Sequence, residues 1–142
     1  MSKTTLYTTA ATSTGDGRNG HVRSEDGLLN LDLAFPKELG GAGGKTNPEQ
    51  LFGAGYAACF HSALNLVASK AKAPVGSSTV TARVSLHPTD TGGFQLSVVL
   101  QVEVAGVDQA TAQALVEKAH QICPYSNAVR GNIDVSLDVK AA

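Results

Sequence analysis

The chain has no tryptophan, two cysteines, one methionine and only 5% aromatic residues. Its core must therefore be aliphatic and alanine-rich, drawn from a hydrophobic share of 42%. Charge of one sign is lacking as well. A formal net charge of -1 and a pI near 6.4 leave no basic stripe, which argues against a nucleic-acid partner. No uninterrupted apolar run reaches the 18 or so residues that would span a membrane, so no membrane association is expected. The opening stretch MSKTTLYTTAATSTGDG has no apolar h-region, so no secretory signal is expected. These absences together lead to a soluble cytoplasmic protein. Two cysteines in that compartment are more often catalytic, redox-active or incidental than a structural staple. At 142 residues, a single domain spanning 1–142 is expected.

What is present organises the chain around Asn47 to Cys59, NPEQLFGAGYAAC. Asn47 suits a helix N-cap, with Pro48 at the first helical position and Gln50 completing a capping box. Glu49 in the first turn complements the helix dipole. The helix is expected to run to about Lys72, before Pro74. Its residues leave almost no polar face, so it must be surrounded by protein. One copy of so short a chain does not obviously cover it, which argues for a dimer packed on this helix.

The segments around it read in order. Lys3 to Thr12 is Thr-rich and β-prone, a first strand. Gly15 to Gly20 is a turn carrying Arg18, a solvated hairpin tip on composition alone. His21 to Ser24 and Leu28 to Ala34 read as strands, with Leu29, Leu31 and Leu33 alternating onto one buried face. The glycine-rich stretch to Thr46 is not a phosphate loop. The pattern needs glycine five residues before Gly44-Lys45-Thr46, where Leu39 stands. A flexible connector fits better. Ser78 to His87 and Phe94 to Val104 form a hairpin about a turn at Thr89–Gly93. Asp108 caps a helix over Gln109 to Gln121, with Ala112, Leu115, Val116, Ala119 and Ile122 inward. Cys123-Pro124 ends it, Pro124 opens a short helix to about Val129, and Ile133 to Val139 is the last strand. The order of elements means an α+β fold.

Three chemistries suit residues of these types. A zinc set of Cys59, His61, His120 and Cys123 fails on geometry. Cys59 and His61 lie about 200° apart round a helix, and His120 with Cys123 gives only two ligands. No metal and no cofactor is expected. A Cys-His hydrolase fails because His61 faces away from Cys59. Thiol redox chemistry fits best: an activated thiol, a second thiol and a nearby cation. Burial alone would raise the Cys59 pKa, so a positive charge must offset it. Arg18 is the first choice and Arg130 the second, with Glu49 as the carboxylate partner of Arg18. Glu49 and Cys59 lie about 15 Å apart along a straight helix. Either the helix bends at Gly53-Ala54-Gly55, or a long arginine bridges the gap, or Glu49 comes from a partner chain. Two unrelated buried cysteines are the alternative, since free Cys behaves as a small hydrophobe.

NPEQLFGAGYAACFHSAL, CPYSNAVRGN and the early GRNG turn together resemble the organic hydroperoxide resistance proteins, the Ohr branch of the Ohr/OsmC family. The resemblance covers essentially the whole chain. It implies an OsmC-like α+β fold and an intertwined homodimer, with long central helices wrapped by mainly antiparallel sheets. It implies a bacterial thiol-dependent peroxidase for organic and fatty-acid hydroperoxides. Cys59 would be the peroxidatic thiol and Cys123 the resolving one. Arg18 would polarise the peroxide and Glu49 hold Arg18, and dihydrolipoyl groups on lipoylated proteins, or dihydrolipoamide, would be the reductant. The Arg18 turn reads Gly-Asp-Gly-Arg-Asn-Gly where Gly-Gly-Arg-Asp-Gly is expected, so Asp16 weakens the arginine's field. Phe52, Tyr125 and Phe94 are candidate liners of an acyl-tail pocket. Two rivals stand beside this reading: the OsmC branch, expected to carry an extended N-terminus, and a non-catalytic carrier using the same pocket.

Overall fold

The structure, a computed structural model, describes residues 3–142. It is α+β, with two three-stranded sheets and three helices among the described residues. The chain divides into two compact units, residues 1–48 and 49–142.

The first unit is an antiparallel meander of β1 (Ala11–Thr14), β2 (His21–Ser24) and β3 (Asn30–Asp32). The first strand is shorter than the sequence suggests. Residues 3–10 join no ladder, and pairing begins where Ala11 faces Ser24. Leu28 and Leu29 are likewise lost from β3, because they close a side-chain turn. Asp26 Oδ1 accepts from the Leu28 N–H and the Ser24 hydroxyl, and Ser24 Oγ accepts from the Leu29 N–H. The expected buried leucine face is also not formed within this unit. Leu29 and Leu31 are exposed and only Leu33 is buried. The glycine-rich stretch, expected as a flexible connector, is instead tied by backbone bonds. Gly41 N–H donates to Pro36 O, Gly43 N–H to Phe35 O and Ala34 N–H to Thr46 O. Gly40, Gly43 and Gly44 all have positive φ, which lets the chain fold back on itself there.

The second unit is built on α1 (Pro48–Lys70), which runs unbroken through Gly53 and Gly55. It ends two residues before the expected Lys72, whose φ of 54° terminates the helix. By length and composition alone α1 would serve as a membrane span, with a window of mean hydropathy 1.3. The helix holds no uninterrupted apolar run of that length, because His61, Ser62, Asn65 and Ser69 break it. Yet Tyr56, Phe60, Ala63, Leu64, Val67 and Ala68 are buried in the protein. Gly53 lets the helix approach β4 closely, since a Cβ there would sit 3.3 Å from Val84 Cγ2.

β4 (Ser78–Pro88) and β5 (Phe94–Val104) form the expected hairpin, and β6 (Val135–Ala141) lies parallel to β5. β5 is central, and its alternate residues Val98, Leu100, Val102 and Val104 are buried, the period-2 pattern of a strand with one face in the core. The parallel crossover is made by α2 (Gln109–Ile122) and α3 (Pro124–Val129). Asp108 caps α2 as expected, its Oδ1 accepting from the Thr111 N–H at 2.8 Å. Ala112, Leu115, Val116 and Ala119 face inward, but Ile122 is 40% exposed because α2 ends there and the chain turns into α3. The last strand begins two residues later than the alternation suggests, since Val135 is the first residue paired with β5, opposite Val98.

Candidate active site

The second unit holds both thiols. Cys59 lies in the middle of α1 and Cys123 at the junction of α2 and α3. Pro124 forces this break: the residue before it is pushed to extended backbone, and Cys123 has φ -64° and ψ 124°. The junction turns Cys123 inward, where it is fully buried, while Cys59 is only partly so. Neither is in a disulfide, and Cys123 lies near enough to Cys59 to shift its ionisation.

The surroundings set the electrostatics. Burial pushes the Cys59 thiol above its ordinary pKa, the Tyr125 backbone N–H donates toward the sulfur and pulls it back, and Cys123 pushes it up again. Burial disfavours the thiolate, whereas the N–H stabilises it. The N–H is available because Tyr125 lies in the first turn of α3, where no intrahelical acceptor exists.

Three rings pack beside the thiols. Phe52 meets Tyr56 edge-on with centroids 5.9 Å apart, and Tyr125 lies 5.6 Å from Tyr56 and 6.1 Å from Phe52. Gly55 makes room for Tyr125, since a Cβ there would lie 2.5 Å from its hydroxyl oxygen. Phe52 and Tyr125 are thus brought together. Phe94 is not: it is 75% exposed at the start of β5, opposite Pro88.

The remaining expected residues are placed as follows. Arg18 sits in a 3-10 turn of the first unit, part-buried, with its guanidinium 5.9 Å from the centre of the Phe35 ring. The exposed-tip reading of that turn therefore does not hold for Arg18. Glu49 is in the first turn of α1. His61 points away from Cys59, its Nε2 2.8 Å from Ser78 Oγ on β4. Arg130 is bound at the end of α3, donating to Asn127 Oδ1 at 2.7 Å and to the His120 carbonyl. No group of three or more metal-ligating side chains occurs among the described residues.

The sequence reading missed a polar group beside the thiols. Ser126, fully buried, lies 2.7 Å from the Tyr56 hydroxyl and 2.7 Å from His120 Nδ1. The available signal is the spacing of His120 at the end of α2 and Cys123 just beyond it, which the sequence offers only as two of the four ligands a zinc site needs.

The fold and site define an α+β protein with a paired-thiol centre at a helix junction. An OsmC-like protein family model matches residues 41–138. The organic hydroperoxide resistance protein of Xanthomonas axonopodis pv. citri is 53% identical over 134 residues, covering 93% of each chain. The crystal structure of an organic hydroperoxide resistance protein from Legionella pneumophila superposes with a TM-score of 0.93 at 57% identity, covering 96% of this chain and 99% of that one. The corresponding structure from Elizabethkingia anophelis gives 0.95 at 55% identity, covering 99% and 100%. The chain belongs to the OsmC-like family, in its organic hydroperoxide resistance branch.

Proposed function

We propose that this protein is a thiol peroxidase that reduces organic hydroperoxides, with Cys59 as nucleophile and Cys123 as resolving thiol. The observation that carries the reading is the pair itself: two unbonded thiols near enough for Cys123 to shift the ionisation of Cys59, with the Tyr125 backbone amide favouring the Cys59 thiolate. The names of the similar proteins, organic hydroperoxide resistance proteins, support the substrate class.

The Cys59 thiolate attacks the distal oxygen of the hydroperoxide. The O–O bond breaks, the alkoxide leaves with a proton as the alcohol, and Cys59 becomes a sulfenic acid. The Cys123 thiol then gives up its proton and attacks the Cys59 sulfur. An S–S bond forms and the hydroxyl leaves as water. A dihydrolipoyl dithiol exchanges with this disulfide, returning both thiols and departing as the cyclic disulfide. Arg18 offsets the burial of the Cys59 thiolate and polarises the peroxide, and Glu49 holds Arg18. The rings of Phe52, Tyr56 and Tyr125 favour an organic tail over hydrogen peroxide, which gains nothing from apolar burial. Phe94 lines the tail pocket only if a second chain brings it there.

The working form is a cytoplasmic homodimer in which each 142-residue chain acts as a single domain. Exposed Leu28, Leu66 and Phe94 support a partner chain.

The test is peroxide consumption by the purified protein with dihydrolipoamide, comparing cumene hydroperoxide with hydrogen peroxide and wild type with Cys59→Ser. Faster consumption of the organic peroxide, lost in the variant, is expected. Absence of turnover with any dithiol would sink the reading.

A further inference from the structure

The thiol chemistry proposed above has a proton to move, and the resolving thiol is buried. When Cys123 attacks, its proton must leave a fully enclosed thiol, and the departing hydroxyl takes one up to leave as water. A polar path exists in the same core. Tyr56 and Ser126 are both fully enclosed, and His120 is partly exposed. Ser126 Oγ stands between the other two, 2.7 Å from the Tyr56 hydroxyl and 2.7 Å from His120 Nδ1. Tyr56 shares the buried cluster with Cys123 and lies one helical turn before Cys59 on α1.

We propose that Tyr56, Ser126 and His120 form a proton relay that runs from the thiol pair to the protein edge, with Ser126 as the bridging hydroxyl. The proposal rests on the thiol chemistry of the preceding section. Of the three only the Tyr56 ring is used there, and neither its hydroxyl nor Ser126 nor His120.

The hydrogen inventory supports a relay rather than a static strut. Two hydrogen bonds join three groups, and each group either donates or accepts at its inner end. In one arrangement Tyr56 donates to Ser126 and Ser126 donates to a bare His120 Nδ1. In the other, His120 Nδ1–H donates to Ser126 and Ser126 donates to Tyr56. The second arrangement leaves the Tyr56 hydroxyl hydrogen free to point elsewhere in the buried cluster. The second arrangement holds one hydrogen more than the first: a proton entering at the Tyr56 oxygen displaces the Tyr56 hydrogen to Ser126 and the Ser126 hydrogen to His120 Nδ1, leaving a charged imidazole, with no heavy atom moving.

The charges around the path are few. Tyr56 is faced by Cys59 from its own helix, by Cys123 from the α2–α3 junction and by Arg130 from the end of α3. His120 is faced by Arg130, and the Phe60 ring of α1 lies 6.5 Å from its own. Burial and then Arg130 hold His120 below its ordinary pKa, so it is neutral and able to accept a proton near neutral pH. Arg130 is fixed by Asn127 and by the His120 carbonyl, which holds α3 against the last turn of α2. The three residues act through one another and through Cys123, so they are positioning residues.

The experiment uses no hydroperoxide. The reduced full-length protein is mixed with an aromatic disulfide whose thiolate is coloured. Cys59 forms a mixed disulfide and releases one thiolate in a first phase. Cys123 then loses its proton and attacks Cys59, releasing the second thiolate in a second phase. Ser126→Ala and His120→Gln are compared with wild type across pH, singly and together. The relay requires each to slow the second phase about tenfold while leaving the first unchanged. It requires the double variant to lose no more than either single, because the two serve one path. It also requires the second phase to lose its His120 inflection in both. A second phase in Ser126→Ala with the wild-type rate and pH profile overturns the relay. So do losses that add in the double variant. A protein inert towards hydroperoxides still gives both phases, so failure of the peroxidase reading and failure of the relay are told apart.

Discussion

At the residue scale the two thiols are unlike in their surroundings, and that difference predicts their behaviour. Cys59 is partly exposed and receives a backbone N–H, whereas Cys123 is enclosed in the core. In Cys123→Ser, single-turnover peroxide consumption should survive and the Cys59 sulfenic acid should persist to be trapped by a dimedone-type probe. Loss of that first turnover in Cys123→Ser, with retention in Cys59→Ser, would reverse the roles. The Cys59 thiolate also works against burial, which raises its pKa. Reactivity that depends on thiolate rises with pH through that pKa. Arg18→Ala should therefore slow attack at neutral pH and move the lower limb of the rate profile upward. An unmoved limb removes Arg18 from the mechanism. Cys59, Cys123 and the two rings Phe52 and Tyr125 were legible from the sequence, because a helix pattern and a proline break fix where those residues stand. Ser126 was not, because nothing in a short helix starting at Pro124 marks one serine as enclosed.

At the element scale the strands and helices of the second unit were the most legible. Their alternation and 3.6-residue periodicity are imposed by a one-sided core, and Asp108 and Pro124 mark helix boundaries by local chemistry alone. The meander was less so. Its leucines alternate as a buried face should, yet Leu29 and Leu31 are exposed in the single chain, so pattern announced burial that the unit itself does not supply. A cross-strand pair adds to the ladder bonds of the meander. His21 Nδ1 is 2.7 Å from Asp32 Oδ1, directly opposite in the ladder, and Asn30 Oδ1 lies at Nε2. The Asp32 hydrogen bond is the main cause of a His21 pKa raised above 6.5, and it lowers Asp32 below 3.8. The sign follows. The His21 contribution is complete below pH 6.5 and fades as pH rises through its raised folded value. The Asp32 contribution is present above pH 3.8 and fades as pH falls through its lowered value. The pair lies at the surface and is accessible to solvent, so the effect on stability is small. The ring resonances of His21 should titrate above 6.5 in wild type and return toward that value in Asp32→Asn. An unchanged midpoint in the variant would assign the shift to something other than this pair.

At the scale of the whole molecule the exposed apolar residues are the main feature. Leu28 is 89% exposed, Phe94 75% and Leu66 48%, and Leu66 with Ile122 lines a groove of about 820 Å³ between α1 and α2. Water contact over such surface is costly, about 25 cal/mol for each Å². Sedimentation equilibrium at micromolar protein should give twice the chain mass of 14.5 kDa. Replacing Leu66 and Ile122 by glutamate together should shift the mass toward one chain while each unit keeps its far-ultraviolet dichroism. A wild-type mass of one chain across the same range would remove the dimer. This level was legible only in outline. The apolar character of α1 shows in sequence that something must cover it, but a single chain cannot show what.

The junction that breaks α2 from α3 has one more consequence. It brings a residue from the middle of the chain against one far downstream, with the β4–β5 hairpin and all of α2 strung between them. A bond between Cys59 and Cys123 turns that stretch into a ring, while its absence leaves an open thread. Ring closure of this length restricts the unfolded chain by about 4 kcal/mol. The oxidised protein should accordingly melt well above the reduced one, a difference that scanning calorimetry with and without reductant would read directly. Each catalytic cycle would then carry the chain between two topologies. The molecule would be hardest to unfold in the interval after peroxide has been spent and before reductant arrives, and a cell short of reductant would hold the sturdier form.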